Sequence, residues 1–312
     1  MQKFVILVIS TTVLILCFSR DFIWAEWLLS GLLILSIFYL ATLIIPFTFL
    51  GKLMIEKADP GDKPILKMLV ANVLQENTNY TKLLGLVQAI DPHIVFLLET
   101  DQKWMDHMQG LKERYPYFIE VPMDNTYGML FYSRSEIIYY KVNYLIDPEI
   151  PSLEIDIEFD NTKIRIFGLH PTPPSPTENL YSTDRDAEIL MVAKTVKDME
   201  APCIVMGDLN DVAWSYTTEL FLKTSGLLDP RRGRGWFNTY NARYVVFRWP
   251  LDHYFVSGHF RIVDMNVEAS IDSDHFPISI SVCLTDNDDS RKLEADPADK
   301  ELADKKIRSA KM

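Results

Sequence analysis

From residue 66 to residue 284, short apolar runs alternate with stretches of helical period, and most of the runs stop on a polar residue. No other feature of the chain limits its fold as much. Strands are expected over 67–72, 94–98, 129–133, 154–159, 163–169, 203–207, 251–256, 261–268 and 278–283, several rich in Val, Ile and Phe and bounded by Gly, Pro, Asn or Asp. Helices are expected over 81–90, 104–115, 183–197 and 216–225; in the first, Leu83, Leu84, Val87 and Ile90 share one face. Many short strands separated by a few helices fit stacked sheets with helices outside. No internal repeat interrupts the pattern.

Composition removes some classes. The chain is 48% hydrophobic and 12% aromatic, enough for a sizeable core, and its net charge of -12 is unlike that of a general nucleic-acid binder. Cys17, Cys203 and Cys283 form no Cys-x-x-Cys pair, so neither a disulfide framework nor a zinc ribbon is indicated. The charged tail, 285–312, is poor in aromatics and reads as a solvated helix or as disorder, with disorder the expectation.

Residues 1–50 are apolar in two runs parted by Arg20 and Asp21. About 20 apolar residues cross a bilayer. The second run, from about Trp27 to Phe49, suffices and has no polar face, and the first is short but can cross a thin bilayer. A cleaved signal peptide is the competing reading of the first run, but no small-x-small cleavage site follows it. Two transmembrane helices, a multi-pass arrangement, are therefore expected. With Lys3 before them and Lys52, Lys57, Lys63 and Lys67 after them, the positive-inside rule places both ends, and with them the domain that follows, in the cytoplasm; a single span would invert the side. Residues 51–65 read as a linker and 66–284 as the folded domain.

The polar residues that end the apolar runs carry the chemistry. They are Asn72, Glu99, His170, Asp208 with Asn210, Asp252, and Asp274 with His275. Strand ends gather at sheet edges, where functional side chains commonly sit. Acidic residues there can hold Mg²⁺ or Mn²⁺ through oxygen. A His beside a carboxylate can act as acid, base or phosphate donor. Such parts can polarise a phosphoester, orient a water and bind the developing charge. Each residue alone is an ordinary turn or cap residue; their joint, ordered occurrence carries the reading.

These segments resemble the endonuclease/exonuclease/phosphatase superfamily, which includes DNase I, inositol-polyphosphate 5-phosphatases and neutral sphingomyelinases. The similar stretches are Ala71-Asn72-Val73, Leu97-Leu98-Glu99-Thr100, Tyr127 to Ser133, Gly168-Leu169-His170, Gly207-Asp208-Leu209-Asn210, Leu251-Asp252-His253-Tyr254 and Ser273-Asp274-His275. The His-Pro-x-Pro-Pro, Gly-Asp-Leu-Asn-Asp-Val-Ala-Trp and Arg-Trp-Pro-Leu-Asp-His stretches are similar to those of bacterial membrane-bound members. The resemblance implies a four-layer α/β/β/α sandwich, DNase I-like, preceded by transmembrane helices in a bacterial-type inner membrane. It implies Glu99 as principal metal ligand, with Asn72 beside it and Asp274 next to the metal site. Asp208 would act on the attacking water or the leaving oxygen, Asn210 and His170 would bind the phosphate, and Asp252 would polarise His275. The base and the number of metals stay open.

Substrate choice is less constrained. Arg231, Arg232, Arg234, Arg243 and Arg248 cluster between Asn210 and Asp252 with Trp214, Trp236 and Trp249, and either set can be packing or a substrate rim. Arg248 and Trp214 are the substrate-binding candidates. The loop 171–176 is Pro-rich and stiff. The expected activity is Mg²⁺- or Mn²⁺-dependent phosphodiester or phosphomonoester hydrolysis on a nucleic acid, nucleotide or phospholipid headgroup, nuclease-like first. A phospholipid or inositol-phosphate phosphoesterase is the alternative, and a non-catalytic membrane-tethered binding protein the second.

Overall fold

Apolar residues in the strand runs sort by parity. In β1 (Ile65–Asn72), Met68 and Val70 enter one core while Leu69 and Ala71 enter another, and all four are fully buried. A strand buried on both faces belongs in the middle of a layered structure. The computed structural model describes residues 2–17, 24–59, 61, 64–174, 182–286 and 291–310. It divides into two units, 1–53 with 231–236, and 54–230 with 237–312.

The larger unit contains β1, β2 (Ile94–Leu98), β3 (Tyr117–Val121), β4 (Met129–Ser133), β5 (Ile137–Asn143), β6 (Ser152–Phe159), β7 (Thr162–Leu169), β8 (Cys203–Asp208), β9 (Asp252–Val256), β10 (Phe260–Val267) and β11 (Ile278–Leu284). One sheet has the order β10-β11-β1-β2-β4-β3 and the other β5-β6-β7-β8-β9. Their inner faces meet in a core that includes Val70, Phe96 and Phe131 from one sheet and Ile155, Ile166 and Met206 from the other. Each such side chain contributes about 1.5–3 kcal/mol by leaving water. The outer face of the first sheet packs with α3 (Tyr80–Ile90) and α4 (Gln102–His107). The outer face of the second packs with α5 (Thr183–Lys197) and α6 (Tyr216–Ser225). This is the expected DNase I-like α/β/β/α sandwich.

Two parallel pairs set up the site. β1 runs parallel to β2, pairing Asn72 with Leu98, and β7 runs parallel to β8, pairing Leu169 with Gly207. Parallel neighbours end at the same edge, so Asn72 and Glu99 emerge together, as do His170 and Asp208. β9 is antiparallel to β8 and begins where β8 ends, with Asp208 opposite Asp252.

Several expectations change. β3 and β5 were not expected; they are edge strands with largely exposed side chains. The helix expected over 104–115 is α4 followed by a 3₁₀ turn at Gln109–Glu113. The tail expected to be disordered carries α7 (Pro297–Arg308), which starts with an Asp296–Asp299 capping box and buries Ala303 against Leu190 and Leu220. Lys223–Asp299 at 3.1 Å and Lys306–Asp186 at 2.6 Å pin it.

In the smaller unit α1 (Gln2–Cys17) packs beside α2 (Trp24–Ile44). Gly233 N–H donates to Pro46 O at 2.8 Å, and the Arg232 guanidinium lies 5.5 Å from the Phe47 ring centre. Among the described residues one segment, Trp27–Phe47, is long and apolar enough to cross a membrane. The 16 residues of α1 fall short of that length. Of the two expected spans, Trp27–Phe47 is the one candidate among the described residues.

Candidate active site

The cleft at the strand ends, about 410 Å³, is lined by Glu99, His170, Asp208, Asn210, Asp274 and His275 together with Thr126, Tyr127, Pro173, Pro174, Tyr240 and Leu251. Asn72 joins the two sheets' contributions. Its Nδ2 donates to Glu99 Oε1 at 2.7 Å and to Asp208 Oδ2 at 3.2 Å. Its Oδ1 accepts from Leu74 N–H at 3.1 Å, and its carbonyl accepts from Ser273 Oγ at 2.8 Å, so the amide orientation is fixed.

Asp208 is 1% exposed. Gly207 before it has φ 141°, and a Cβ there would meet Leu169 O at 2.0 Å, so only glycine lets β8 approach β7 closely enough to present Asp208. Asn210 also has a left-handed backbone, φ 51°. Asp208 Oδ1 accepts its N–H at 2.9 Å, its own Nδ2 donates to Pro171 O at 3.0 Å, and Arg185 Nη1 donates to its carbonyl at 2.7 Å. Those three bonds hold the loop in a conformation that Asn tolerates better than most residues.

His275, backed by the buried Asp252, forms the other wall. His275 Nδ1 lies 2.8 Å from Asp252 Oδ2, and its Nε2 points to Asp208 Oδ2 at 3.5 Å. Ser273 Oγ accepts the His275 backbone N–H at 3.0 Å. His170 Nε2 reaches Asp208 Oδ2 at 3.9 Å. The Tyr240 ring covers His275, with centroids 4.8 Å apart.

Burial pulls the His275 pKa down, but Asp252 and Asp208 more than reverse this and push it up to about 10. Burial lowers the His170 pKa, with only partial opposition from Asp208, and keeps that ring neutral. Burial raises the Asp208 pKa against the pull of His275. It also raises Glu99 to about 7, opposed by the Asn72 bond and reinforced by Asp208 and Asp274.

Asp208, Asp252 and His275 offer ligand atoms within 4.8 Å of one another. In that trio Asp252 Oδ2 is taken up by His275 Nδ1, and His275, charged by its two carboxylates, is a poor ligand, although Asp252 Oδ1 has no hydrogen-bond partner among the described residues. The better fit for a hard cation is on the Glu99 side. There the half-buried carboxylates of Glu99 and Asp274 face the cleft, with Asn72 beside them and excess negative charge around them. Oxygen donors of this kind suit Mg²⁺ or Mn²⁺.

Eight of the ten sequence candidates therefore meet: Asn72, Glu99, His170, Asp208, Asn210, Asp252, Asp274 and His275. Trp214 and Arg248 do not line the cleft. The Arg248 guanidinium lies on the Phe276 ring at 4.6 Å and donates to Tyr244 O at 2.5 Å. Arg231, Arg232 and Arg234, grouped with Arg248 as a cationic rim, belong to the smaller unit. Pro173 and Pro174 do form a rim; 175–181 lies outside the described residues. Sequence reasoning missed Tyr127 and Tyr240. Tyr127 opens one of the quoted stretches, whereas nothing near Tyr240 marks it.

A sandwich that brings acids, amides and two histidines to one cleft defines a hydrolase of phosphate esters. The Endonuclease/Exonuclease/phosphatase family is matched over residues 69–275, and the chain belongs to that family and is a phosphoesterase of its superfamily. Members of the family use divalent metals. No curated protein sequence matches the chain. Among solved structures, D. rerio TDP2 complexed with single strand DNA product is similar at 16% identity, TM-score 0.60, covering 70% of this chain and 99% of that one. A family protein from Bacteroides thetaiotaomicron is similar at 17% identity, TM-score 0.57, covering 71% and 98%. One from Bacteroides vulgatus is similar at 15% identity, TM-score 0.58, covering 72% and 100%.

Proposed function

We propose that the chain is a membrane-anchored, divalent-metal-dependent phosphoesterase that hydrolyses its substrate by in-line attack of water. The observation that carries the reading is the Asp252–His275–Asp208 line, which faces Glu99 and Asn72 across one cleft. Glu99, Asp274 and Asn72 would hold Mg²⁺ or Mn²⁺, which when bound polarises a phosphoryl oxygen. Asp252 keeps His275 charged, so its Nε2–H can donate to a phosphoryl oxygen as negative charge develops. Asp208, a stronger proton acceptor in its buried setting than in water, orients the attacking water and takes its proton. His170 and Asn210 add neutral donors. The segment Trp27–Phe47 supplies the anchor. A nucleic-acid substrate is supported by the DNA product bound to D. rerio TDP2.

The test uses the full chain in detergent, assayed on bis(p-nitrophenyl) phosphate, single-stranded and plasmid DNA, inositol phosphates and phospholipids. Turnover should need Mg²⁺ or Mn²⁺, disappear with chelator, and fall by roughly a thousandfold in Asp208→Ala and His275→Ala. The reading fails if nothing is turned over, or if both variants keep normal rates.

A further inference from the structure

The loop between Tyr240 and Trp249 is built unlike the rest of the larger unit. At its base the two strands hold each other, with Tyr240 N–H donating to Trp249 O at 2.9 Å and a second bond running back from Trp249 N–H. The base is fastened to the cleft wall by Ala242 N–H to Asp274 O at 2.6 Å and by the Tyr240 ring on His275. At the tip, Tyr244, Val245, Val246 and Phe247 are 56%, 85%, 61% and 53% exposed. No other run of apolar side chains among this unit's described residues is so long and so open. In 241–250 the only charged residues are Arg243 and Arg248, although the chain as a whole carries -12. Arg248 lies against Phe276 and so keeps one cation at the base of the loop.

Apolar side chains left in water on a rigid base mark a surface that something covers. Two arginines flanking a Tyr-Val-Val-Phe tip match the vertical profile of a lipid interface, cations at the headgroups and apolar tip below them. Nucleic acid fits less well, because single strands are gripped by stacking on aromatic faces, and the apex here is two branched aliphatic residues. We propose that the 243–248 loop is a membrane-insertion element: its tip enters the outer part of an anionic bilayer leaflet and sets the mouth of the cleft against the lipid surface. The substrate is then a phosphate ester presented at that surface. The proposal relies on the phosphoesterase reading only for what the cleft does there.

The test places a bimane label at Val245→Cys in the full chain carrying Cys17→Ser, with Tyr140→Cys on β5 as an exposed control; Cys203 and Cys283 are buried. The protein is reconstituted in vesicles of phosphatidylglycerol and phosphatidylcholine whose acyl chains are brominated near the headgroup or near the methyl end. Roughly half of the emission at 245 should be quenched, more by the shallow bromines than by the deep ones, with emission at 140 unchanged. Equal behaviour at 245 and 140, failure of the chain to associate with the vesicles, or protection of 245 by an oligonucleotide rather than by lipid would overturn the proposal. Val245→Asp with Val246→Asp should abolish vesicle-surface turnover and leave bis(p-nitrophenyl) phosphate turnover within about twofold of the unmodified chain. Loss of insertion with soluble turnover intact would separate this proposal from the reading of the cleft.

Discussion

Glu99, in the cleft, and Glu188, on the buried face of α5, are both glutamates drawn out of water, and in both burial raises the carboxyl pKa, to about 7 and about 8. Their surroundings differ. Asn72 donates to Glu99, and His275, Asp208 and Asp274 act on it. Glu188 is 2% exposed, its Oε1 has no hydrogen-bond partner among the described residues, and burial alone accounts for its shift. A displaced pKa by itself therefore marks only desolvation. It marks a site where other polar groups converge on the same space and something must enter to balance them.

The largest expected effect lies with Glu188. In the unfolded chain it titrates near 4.5, and in the folded chain near 8. Between those values the native state binds the extra proton, so stability is full below the lower value and falls as pH rises through the window. At about 1.4 kcal/mol per pH unit the loss approaches roughly 5 kcal/mol. Urea unfolding from pH 5 to pH 9 should show this decline, and Glu188→Gln should remove most of it while leaving turnover intact. A decline of equal size in Glu188→Gln would show that the carboxylate finds a partner when ionised, and the contrast with Glu99 would collapse.

The second effect concerns Glu99 and is smaller. A cation competes with a proton for this carboxyl, which is half protonated near pH 7. Its ionised fraction falls by about tenfold between pH 8 and pH 6. Mn²⁺ affinity measured by calorimetry should weaken by about that factor, with one proton released per ion at the lower pH. In Glu99→Gln both the binding and its pH dependence should vanish, whereas Glu188→Gln should change neither. Affinity independent of pH would overturn the placement of the cation on Glu99.

Much of this contrast was legible before any coordinates, and its limits are physical. Residues such as Asn72, Glu99 and His170 could be read because an apolar strand buried on both faces announces where it stops. β3 and β5 escape such a reading although Tyr117-Phe118-Ile119 and Ile137-Ile138-Tyr139-Tyr140 are apolar, because neither run is bounded by a polar residue that marks a site and their place at the sheet edges leaves side chains such as Tyr139 and Tyr140 exposed. Glu188 reads as a solvated helix residue, since only the packing of α5 shows it buried. The Arg cluster looked like one patch because sequence proximity hides that 231–236 belongs to a different unit from 237–250. Membrane topology is less legible, because the first apolar run lies near the lower limit of a span, typically about 20 residues.

α7 falls in the tail expected to be disordered because it is charged and poor in aromatics, and it gives the smallest and sharpest comparison. Asp186 lies two residues before Glu188 on α5 and is equally buried. Burial raises its pKa too, but Lys306 and Arg185 more than offset this and hold it below the usual carboxylate range. Lys306 Nζ bonds Asp186 Oδ2 at 2.6 Å, Arg185 Nη2 bonds Asp186 Oδ1 at 2.7 Å, and Arg185 Nη1 goes on to the Asn210 carbonyl. The tail helix thus braces the loop that carries Asn210. Lys306→Met should cost about 1 kcal/mol in urea unfolding at pH 7. Because a lowered carboxyl pKa stabilises above its unfolded value, that cost should fade as pH falls below 4. Turnover should drop only about two- to fivefold, since Arg185 keeps its bonds to Asp186 and Asn210. If turnover and stability are both unchanged at pH 7, α7 is a passenger, and partnering does not distinguish Asp186 from Glu188.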